Sequence, residues 1–444
     1  MGKRWFAGIG FFIVTFLLVA VWSPDVLAFD PVEDFGDVDF NGETVTYVGY
    51  YNPFKENDIF NEGGMFPGRL EEAKEKFNIG EIEFLEMPWG AELVEGQMAR
   101  LMSGDSKYDF WMATVGDMWS MAAEGAFYPV SDILPDEYYE SMPQDMQTMF
   151  ENIEIGGTSY AFGLQNDHFD NIEYVVWNRD LFAREGLTPL DELYKAGEWD
   201  WEAFEEIALK AQKDTDDDGE IEQLGISNLN DWIHIKANDG DIVEVNEKGN
   251  YEFVLPDDDS ALYALEKTYE WTSELEFGGD EWDLPEFRNG NSAMAIIQSW
   301  MFDNLEDMED DWGLVPFPRG PDADEYKYPV VAFDSTYLPA NVEDPEAMVA
   351  LHTFLWHPDE YKEIRESEIS QQAPDKVSYE VMQEASEKGA ESTFLLVDIV
   401  GWWDYDQSLR ETLDLIIAEG ETPSTALKEI RPEVQAQIDD KLNQ

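Results

Sequence analysis

Short β-rich runs alternate with amphipathic helical stretches over residues 44–113, and this alternation constrains the fold more than any other feature of the sequence. The pattern predicts three strands, at 44–50, 81–86 and 108–113. It also predicts two helices between them, at 69–78 and 91–103. Helical crossovers of this length connect parallel strands of one sheet and cover its faces, so we expect an α/β fold. Ligands of such folds bind beyond the carboxyl ends of the strands, which draws attention to the residues after 113.

The rest of the chain continues the alternation. Asp200 is predicted to cap a helix with Trp201 and Phe204 on its apolar face, and Ser260 to cap a helix that runs to Leu275. Further strands are predicted at 293–298, 312–317 and 328–333, and further helices at 345–356 and, separated by Gly420, within 410–444. The sequence has no internal repeat and no low-complexity linker, so we expect domains that are joined by short crossings.

Charge and composition narrow the function classes. The chain has 444 residues, 27 basic and 98 acidic side chains, no cysteine and a formal charge of −71. The length fits two or three domains with a large core. A surface this negative repels phosphate backbones and anionic lipid headgroups, so we expect no nucleic acid partner. The lack of cysteine excludes disulfides, thiolate metal sites, cysteine nucleophiles and lipid attachment through cysteine.

The N-terminus predicts export. Lys3 and Arg4 precede an apolar run over 5–22, and Pro24 and a small-residue ending at Ala28 follow it. This order is typical of a signal peptide at 1–28 that is cleaved after Ala28. The apolar run is also long enough for one membrane span, so an uncleaved anchor is the alternative. In both cases we expect the protein on the periplasmic or extracellular face of the cell membrane.

Seven local signatures follow one another between about Val45 and the C-terminus. They are 108–111 (Tyr-Asp-Phe-Trp), 122–130 (Ala-Ala-Glu-Gly-Ala-Phe-Tyr-Pro-Val), 157–163 (Gly-Thr-Ser-Tyr-Ala-Phe-Gly), 177–182 (Trp-Asn-Arg-Asp-Leu-Phe) with 185–187 (Glu-Gly-Leu), 199–204 (Trp-Asp-Trp-Glu-Ala-Phe), 287–294 (Phe-Arg-Asn-Gly-Asn-Ser-Ala-Met) ending in Ser299-Trp300, and 312–318 (Trp-Gly-Leu-Val-Pro-Phe-Pro). In this order they resemble the carbohydrate-binding, maltose-binding-like group of extracellular solute-binding proteins of ABC importers. The chain departs from many Gram-positive members, which carry a lipid-modified cysteine after the signal peptide.

The resemblance implies two α/β lobes that are joined by a hinge and enclose the ligand in a cleft. The family's topology, laid over this sequence, implies crossings between the lobes near 164–170, 328–334 and 371–376. Lobe one would hold residues 40–166 and 333–372, and lobe two would hold residues 169–330 and 375–444.

A sugar site needs flat aromatic rings for the C–H faces of the sugar and polar groups for its hydroxyls. Most of the 16 tryptophans are expected in the core, and position along the fold singles out a few of them. Trp300 ends the predicted strand at 293–298, where the family commonly has a stacking tryptophan, and it is our best single candidate. Trp402 and Trp403 precede the final helix pair, where maltose-binding-like relatives place an aromatic platform, and we expect one of the two to face the cleft. Trp232 is expected to form another wall of the cleft or to pack in the core.

Polar candidates come from the loops after the strands. Asp117 and Trp119 follow the strand at 108–113, where the resemblance implies a carboxylate for the sugar; the alternative is that Asp117 caps a helix that includes 118–124. Asp167 and His168, next to Asn166, lie at the first crossing, either inside the cleft or as solvated loop residues. Asn52 and Phe54, which follow the first strand, complete the set.

A separate pattern at 214–222 matches the first nine positions of a calcium loop. It offers oxygen ligands from Asp214, Asp216, Asp218, Glu220 and Glu222, with the turn-forming glycine at the sixth position. Position 12 is Gly225 and not the usual bidentate glutamate, so another carboxylate, for example Glu222, has to complete the shell. We expect a structural Ca²⁺ here, and an empty solvated turn is the alternative.

The sequence shows no catalytic constellation. The four histidines form no His-Glu-x-x-His pair, and Gly-x-Ser-x-Gly, Walker and dinucleotide fingerprints are absent, so we expect neither an enzyme nor an organic cofactor. We expect a monomer that captures a sugar or oligosaccharide and delivers it to the permease subunits of an ABC transporter. The alternatives are a secreted glycoside-active enzyme, and the same fold binding a cationic amine or peptide, because the negative charge attracts cations. Residue spacing does not encode which sugar, linkage or chain length is bound.

Overall fold

The structure, a computed structural model, describes residues 29–56, 58–163, 171–216, 218–219, 221–229, 233–277, 284–330, 334–389 and 408–442. Its strands, in chain order, are β1 (Thr44–Gly49), β2 (Glu81–Glu86), β3 (Asp109–Thr114), β4 (Ala161–Gly163), β5 (Glu173–Asn178), β6 (Leu224–Ser227), β7 (Val243–Val245), β8 (Tyr251–Phe253), β9 (Ser292–Gln298), β10 (Trp312–Val315) and β11 (Asp334–Tyr337).

The α-helices are α1 (Pro31–Asp34), α2 (Pro53–Glu56), α3 (Arg69–Lys76), α4 (Ala91–Ser103), α5 (Val115–Ala123), α6 (Asp136–Glu140), α7 (Gln144–Asn152), α8 (Arg179–Glu185), α9 (Leu190–Ala196), α10 (Trp201–Ala211), α11 (Ile233–Ala237), α12 (Asp259–Tyr269), α13 (Pro285–Arg288), α14 (Pro345–Leu355), α15 (Tyr361–Gln372), α16 (Lys376–Lys388), α17 (Ser408–Glu419) and α18 (Pro423–Lys441). Within the described ranges, no helix is both long and apolar enough to cross a membrane.

The first sheet has the strand order β2-β1-β3-β11-β4. β1 pairs with β2 and β3 in parallel, and β11 runs antiparallel between β3 and β4. The three strands and two helices that the sequence predicted over 44–113 are confirmed, with small differences at their ends. β3 is buried along almost its whole length, which explains its continuous apolar sequence.

The second sheet has the strand order β10-β5-β9-β6. β5 is buried at every position and lies antiparallel between β10 and β9, and β6 runs parallel to β9. Each sheet has its own covering helices, so the α/β prediction and the prediction of two lobes are both confirmed.

Of the two helix caps predicted from the sequence, one is confirmed and the other is wrong. The side chain of Asp200 accepts a hydrogen bond from the backbone N–H of Ala203 (3.0 Å), which fixes the predicted start of α10. Ser260 does not cap α12; Asp258 does, and it accepts a hydrogen bond from the N–H of Ala261 (2.8 Å). The hydroxyl of Ser260 instead donates to Asp322 (3.0 Å). The helical segment continues through one π-helical turn and ends near Leu275, as expected.

Two predicted strands are displaced. The strand expected at 312–317 ends at Val315, since Pro316 has no N–H to donate to a neighbouring strand. Of the segment expected as a strand at 328–333, residues 331–333 lie outside the described part of the chain, and the described residues make one isolated bridge, between Val330 and Ile172.

That bridge lies where the chain passes between the two sheets. The backbone N–H of Glu173 donates to the carbonyl of Pro329 (3.3 Å), so two crossing segments run side by side. Gly389 packs against the same place, because a Cβ atom there would stand 3.2 Å from both Ile172 and Val330. These contacts form the hinge side of the molecule.

α15 and α16 make polar contacts with different sheets' helices and strands, although α16 also packs against α7 and α15. Arg365 on α15 donates to Asp145 of α7 (2.5 Å), on the side of the first lobe. Asp375, which caps α16, pairs with Arg179, and the Ser378 hydroxyl accepts from the N–H of Leu314 (3.2 Å), both on the second lobe. The lobe boundaries at 40–166 with 333–372 and 169–330 with 375–444 stay a prediction.

Candidate ligand-binding cleft

The carboxyl ends of β1 and β3 lie at one edge of the first sheet, because these strands are parallel. β11 runs in the opposite direction, so its first residue, Asp334, lies at this same edge, directly opposite Thr114. The loop after β1 brings Tyr50 to Asp334, and the Tyr50 hydroxyl donates a hydrogen bond to Oδ2 of Asp334. Asp117 lies close enough for its charge to act on Asp334. We call Tyr50, Asp117 and Asp334 the acidic edge.

Burial perturbs both carboxyl groups of the acidic edge. It raises the pKa of Asp334 to about 6; the charge of Asp117 adds to this rise and the Tyr50 hydrogen bond opposes it. Burial also raises the pKa of Asp117, against a hydrogen bond from Thr114. Only 7% of Asp334 is exposed, and its Oδ1 atom has no hydrogen-bond partner among the described residues. Carboxyl groups with a raised pKa at the strand ends make this edge a candidate functional site.

Asp117 does not cap the helix that follows it, so that alternative is wrong. The cap is Thr114, whose hydroxyl accepts from the N–H of Asp117 (3.4 Å) and donates to Oδ2 of Asp117 (3.2 Å). α5 therefore starts at Val115, earlier than the sequence suggested, and Asp117 lies in its first turn, where a carboxylate interacts favourably with the helix dipole.

The second sheet presents Trp300 just beyond the end of β9. About half of Trp300 is exposed (52%), which is unusual for so large an apolar side chain. Its indole N–H donates to Oε1 of Gln298 (2.5 Å), and Gln298 in turn donates to Glu173 (3.0 Å), its partner across the two strands. This chain of hydrogen bonds fixes the ring while leaving aromatic surface exposed, as a sugar-stacking platform requires.

Trp119 is not available to a ligand in this arrangement. It is fully buried (0% exposed), and Tyr251 of the β7–β8 hairpin covers it edge to face, with ring centroids 6.5 Å apart. The Tyr251 hydroxyl lies 3.5 Å from the backbone carbonyl of Glu154. The hairpin packs on α18, and by the proposed boundaries it belongs to the second lobe, so we expect this contact to join the lobes.

The two candidate residues in the loop after β1, Asn52 and Phe54, have different surroundings. The side-chain oxygen of Asn52 accepts from the backbone N–H of Phe54 (3.1 Å) at the start of α2, and its predicted ligand contact stays a prediction. Phe54 packs on Tyr47 and Trp356, with ring centroids at 4.9 and 5.4 Å, and therefore faces the core of the lobe.

Other predicted cleft residues lie outside the described part of the chain, and their roles stay predictions. They are Asn166, Asp167, His168, Trp232, Trp402 and Trp403.

The segment 214–222 folds into a loop of converging carboxylates. Oxygen atoms of Asp214, Asp216, Asp218 and Glu222 lie within 4.8 Å of one another. Gly219 adopts a φ angle of +100°, which permits the tight turn expected at the sixth position, and its N–H donates to Asp214 (2.8 Å). Glu220 lies outside the described residues. These are the ligand types that Ca²⁺ prefers, and the metal site stays a prediction.

Sequence reasoning missed Asp334, Tyr50, Gln298 and Glu173. Asp334 was missed because the predicted strand ended at residue 333, whereas β11 includes Asp334. The sequence carries a usable signal, since Asp334 is the one charged residue in the segment 331–338, and a lone carboxylate at the first position of a buried strand needs a partner or a function.

The first lobe thus has buried carboxyl groups at one edge of its sheet, and the second has a fixed, half-exposed indole just beyond β9. The sequence model of one family, described as bacterial extracellular solute-binding protein, matches residues 69–368. The chain therefore belongs to the bacterial extracellular solute-binding proteins. None of the curated protein sequences compared with the chain matches it.

Solved structures of similar fold cover nearly all of the chain. One is the maltose/maltodextrin-binding domain MalE from Bdellovibrio bacteriovorus bound to maltotriose, with 16% identity, a TM-score of 0.61, and coverage of 89% of this chain and 99% of that one. Another is the GacH receptor of Streptomyces glaucescens, solved unliganded and with acarbose, at 13% identity, a TM-score of 0.62, and coverage of 90% and 99%. UgpB from Mycobacterium tuberculosis, in complex with glycerophosphocholine, has 14% identity, a TM-score of 0.60, and coverage of 88% and 98%. At these identities the likeness shows the fold alone.

Proposed function

We propose that the chain is the exported substrate receptor of an ABC importer and that it captures a sugar or oligosaccharide between its lobes. The observation that carries this proposal is the Trp300 platform, an exposed indole fixed by Gln298 at the edge of the second sheet. Membership of the solute-binding family supports the receptor role. Neighbours of the same fold that hold maltotriose or acarbose support a carbohydrate as the ligand.

The mechanism that we propose is a shift between open and closed lobes. The sugar stacks a C–H face on Trp300 and offers hydroxyls to the acidic edge, so it contacts both lobes only when they are closed. Its differential affinity for the closed form then drives closure. The closed monomer, on the periplasmic or extracellular face of the membrane, delivers the sugar to the permease subunits. No bond in the ligand is made or broken.

A cationic ligand is the second candidate. The chain carries a formal charge of −71, and the acidic edge adds two carboxyl groups at the proposed site. The fold neighbour that holds glycerophosphocholine favours the same alternative. A structural Ca²⁺ at Asp214, Asp216, Asp218 and Glu222 is a separate proposal that does not depend on the identity of the ligand.

A thermal-shift screen tests the proposal. The panel is maltotriose, mannotriose, cycloalternan, acarbose and glycerophosphocholine. We expect a sugar to stabilise the protein, by about 2.7 kcal/mol when it is present at 100 times its dissociation constant. Isothermal titration should then show one ligand per chain, and the sugar should be recovered unchanged. Stabilisation by glycerophosphocholine alone, or hydrolysis of the sugar, would contradict the proposal.

A further inference from the structure

We propose that Asp334 anchors the ligand by accepting a hydrogen bond from a sugar hydroxyl at Oδ1, and that capture is therefore pH-dependent. This inference rests on the proposed function, because it names a specificity-determining residue and a regulation of the same cleft.

Asp334 lies at the edge of the first sheet, and one of its carboxyl oxygens lacks a hydrogen-bond donor among the described residues. Asp334 is the first residue of β11 and lies opposite Thr114, at the edge of the first sheet where the ligands of α/β folds bind. Tyr50 donates its hydroxyl hydrogen to Oδ2. The described residues supply no donor to Oδ1, although Asp334 is more than nine-tenths buried. A buried carboxylate oxygen without a donor is costly, so this geometry favours a donor from a bound ligand.

The described groups around Asp334 are either negatively charged or neutral. α5 contributes Asp117, and the loop after β1 contributes the neutral hydroxyl of Tyr50. The neighbouring part of β3 is Ala113 and Thr114, and β4 is Ala161–Gly163, all of them uncharged. Burial, the largest cause, raises the pKa of Asp334 to about 6; the charge of Asp117 adds to this rise, and the described neighbours present no positive charge to oppose it.

The sign of the pH dependence follows from this pKa. A hydroxyl that donates to Oδ1 favours the ionised form of Asp334, so binding lowers the pKa of this group. Below about pH 6 the carboxyl group is mostly protonated, and its neutral carbonyl oxygen accepts a weaker hydrogen bond than the ionised carboxylate does. The affinity should therefore fall by up to about tenfold per pH unit on acidification, and it should level off above the pKa of the empty protein.

The nature of the donor is tested by two substitutions at one position. In Asp334→Asn a carbonyl oxygen remains in place and can still accept from a neutral hydroxyl, whereas it offers no charge to an ammonium group. Asp334→Ala removes the acceptor altogether. A sugar hydroxyl thus predicts that the Asn variant binds more tightly than the Ala variant, and an ammonium group predicts that both variants bind equally poorly.

The experiment is isothermal titration of the full chain with the four sugars of the panel at about pH 5 and about pH 7.5. We expect Asp334→Ala to lose about tenfold or more in affinity at the higher pH, and Asp334→Asn to lose less and to lose the pH dependence. Tyr50→Phe removes the hydrogen bond that favours ionisation, so its affinity profile should move to higher pH. Asp307→Asn, an exposed carboxylate on a turn, is the matched control and should behave like the wild type.

The outcomes separate the inference from the proposed function. If a sugar binds and neither variant changes its affinity or its pH profile, the Asp334 anchor is overturned and the sugar receptor stands. If both variants bind the sugar weakly and equally, a neutral acceptor at this position does not restore binding, and the anchor as stated is overturned. If no sugar of the panel binds the wild type at either pH, the proposed function and the anchor both fail. A cooperative thermal transition for each variant shows that it is folded.

Discussion

Trp119 of the first lobe and Tyr251 of the second lobe meet edge to face, with ring centroids 6.5 Å apart and ring planes inclined by 65°. Trp119 lies on α5, which starts at the carboxyl end of β3 and hence on the cleft side of its lobe. Gln435 of α18 holds the hairpin in place, since it donates to the carbonyl of Tyr251 (3.0 Å) and accepts from the N–H of Phe253 (2.9 Å). By the proposed boundaries the two rings belong to different lobes, so we expect opening of the lobes to separate them.

The contact between Trp119 and Tyr251 should favour the closed form. An aromatic pair of this kind contributes about 0.5–1.5 kcal/mol, so Tyr251→Ala should weaken sugar binding by roughly threefold to tenfold without touching the ligand. Small-angle scattering should show a larger radius of gyration for the ligand-free variant. Tyr251→Phe keeps the ring and is the matched control. Unchanged affinity and unchanged dimensions in Tyr251→Ala would show that the contact does not bias closure.

Asp334 should make the stability of the ligand-free protein depend on pH. Its pKa is about 6 in the folded protein, against 3.8 for the free group, so the folded state holds the proton more tightly than the unfolded state. Stability from this group is present below about pH 4 and is lost as the pH rises to about 6, with a total of up to about 3 kcal/mol. Asp334→Asn should therefore raise the melting temperature near neutral pH and leave it nearly unchanged in acid. An equal effect at both pH values would mean that the carboxyl group is not buried as described.

The loop at 214–222 should bind Ca²⁺ if the carboxylates of Asp214, Asp216, Asp218 and Glu222 act together. Calcium would relieve the repulsion between these groups, so titration of chelator-treated protein should show binding and a higher melting temperature. Asp214→Ala and Asp218→Ala should each weaken this binding, and Asp307→Ala should not. Equal calcium affinity in all three variants would place any bound calcium elsewhere.

Much of the fold could be predicted from periodicity, and the exceptions have local causes. The bounds of β2 and α4 match the predicted bounds to the residue. The spacing of their apolar residues and the glycines beside them mark where each element begins and ends. The cap of α12 was placed two residues late, because Asp258 and Ser260 are both good capping residues and only the tertiary contact of Ser260 with Asp322 separates them.

The cleft could be predicted only in part. Trp300 and Asp117 follow strands that the sequence predicts, so position along the chain names them as candidates, and their contact with a ligand stays a prediction. Asp334 reaches the same edge from a strand that runs the other way, and its distance of 284 residues from Tyr50 is invisible to local spacing. The burial of Trp119 depends on a hairpin from the other lobe, which no pattern near residue 119 reveals.

The most direct test of the account is sugar binding to Trp300→Ala, measured by isothermal titration beside the wild type and Trp300→Phe. The account predicts one sugar per chain for the wild type, a loss of affinity of about tenfold or more in Trp300→Ala, equivalent to about 1.4 kcal/mol, and a smaller loss in Trp300→Phe, which keeps an aromatic ring. Sugar binding of wild-type strength in Trp300→Ala, or no sugar binding by the wild type, would contradict a carbohydrate receptor that is built on this platform.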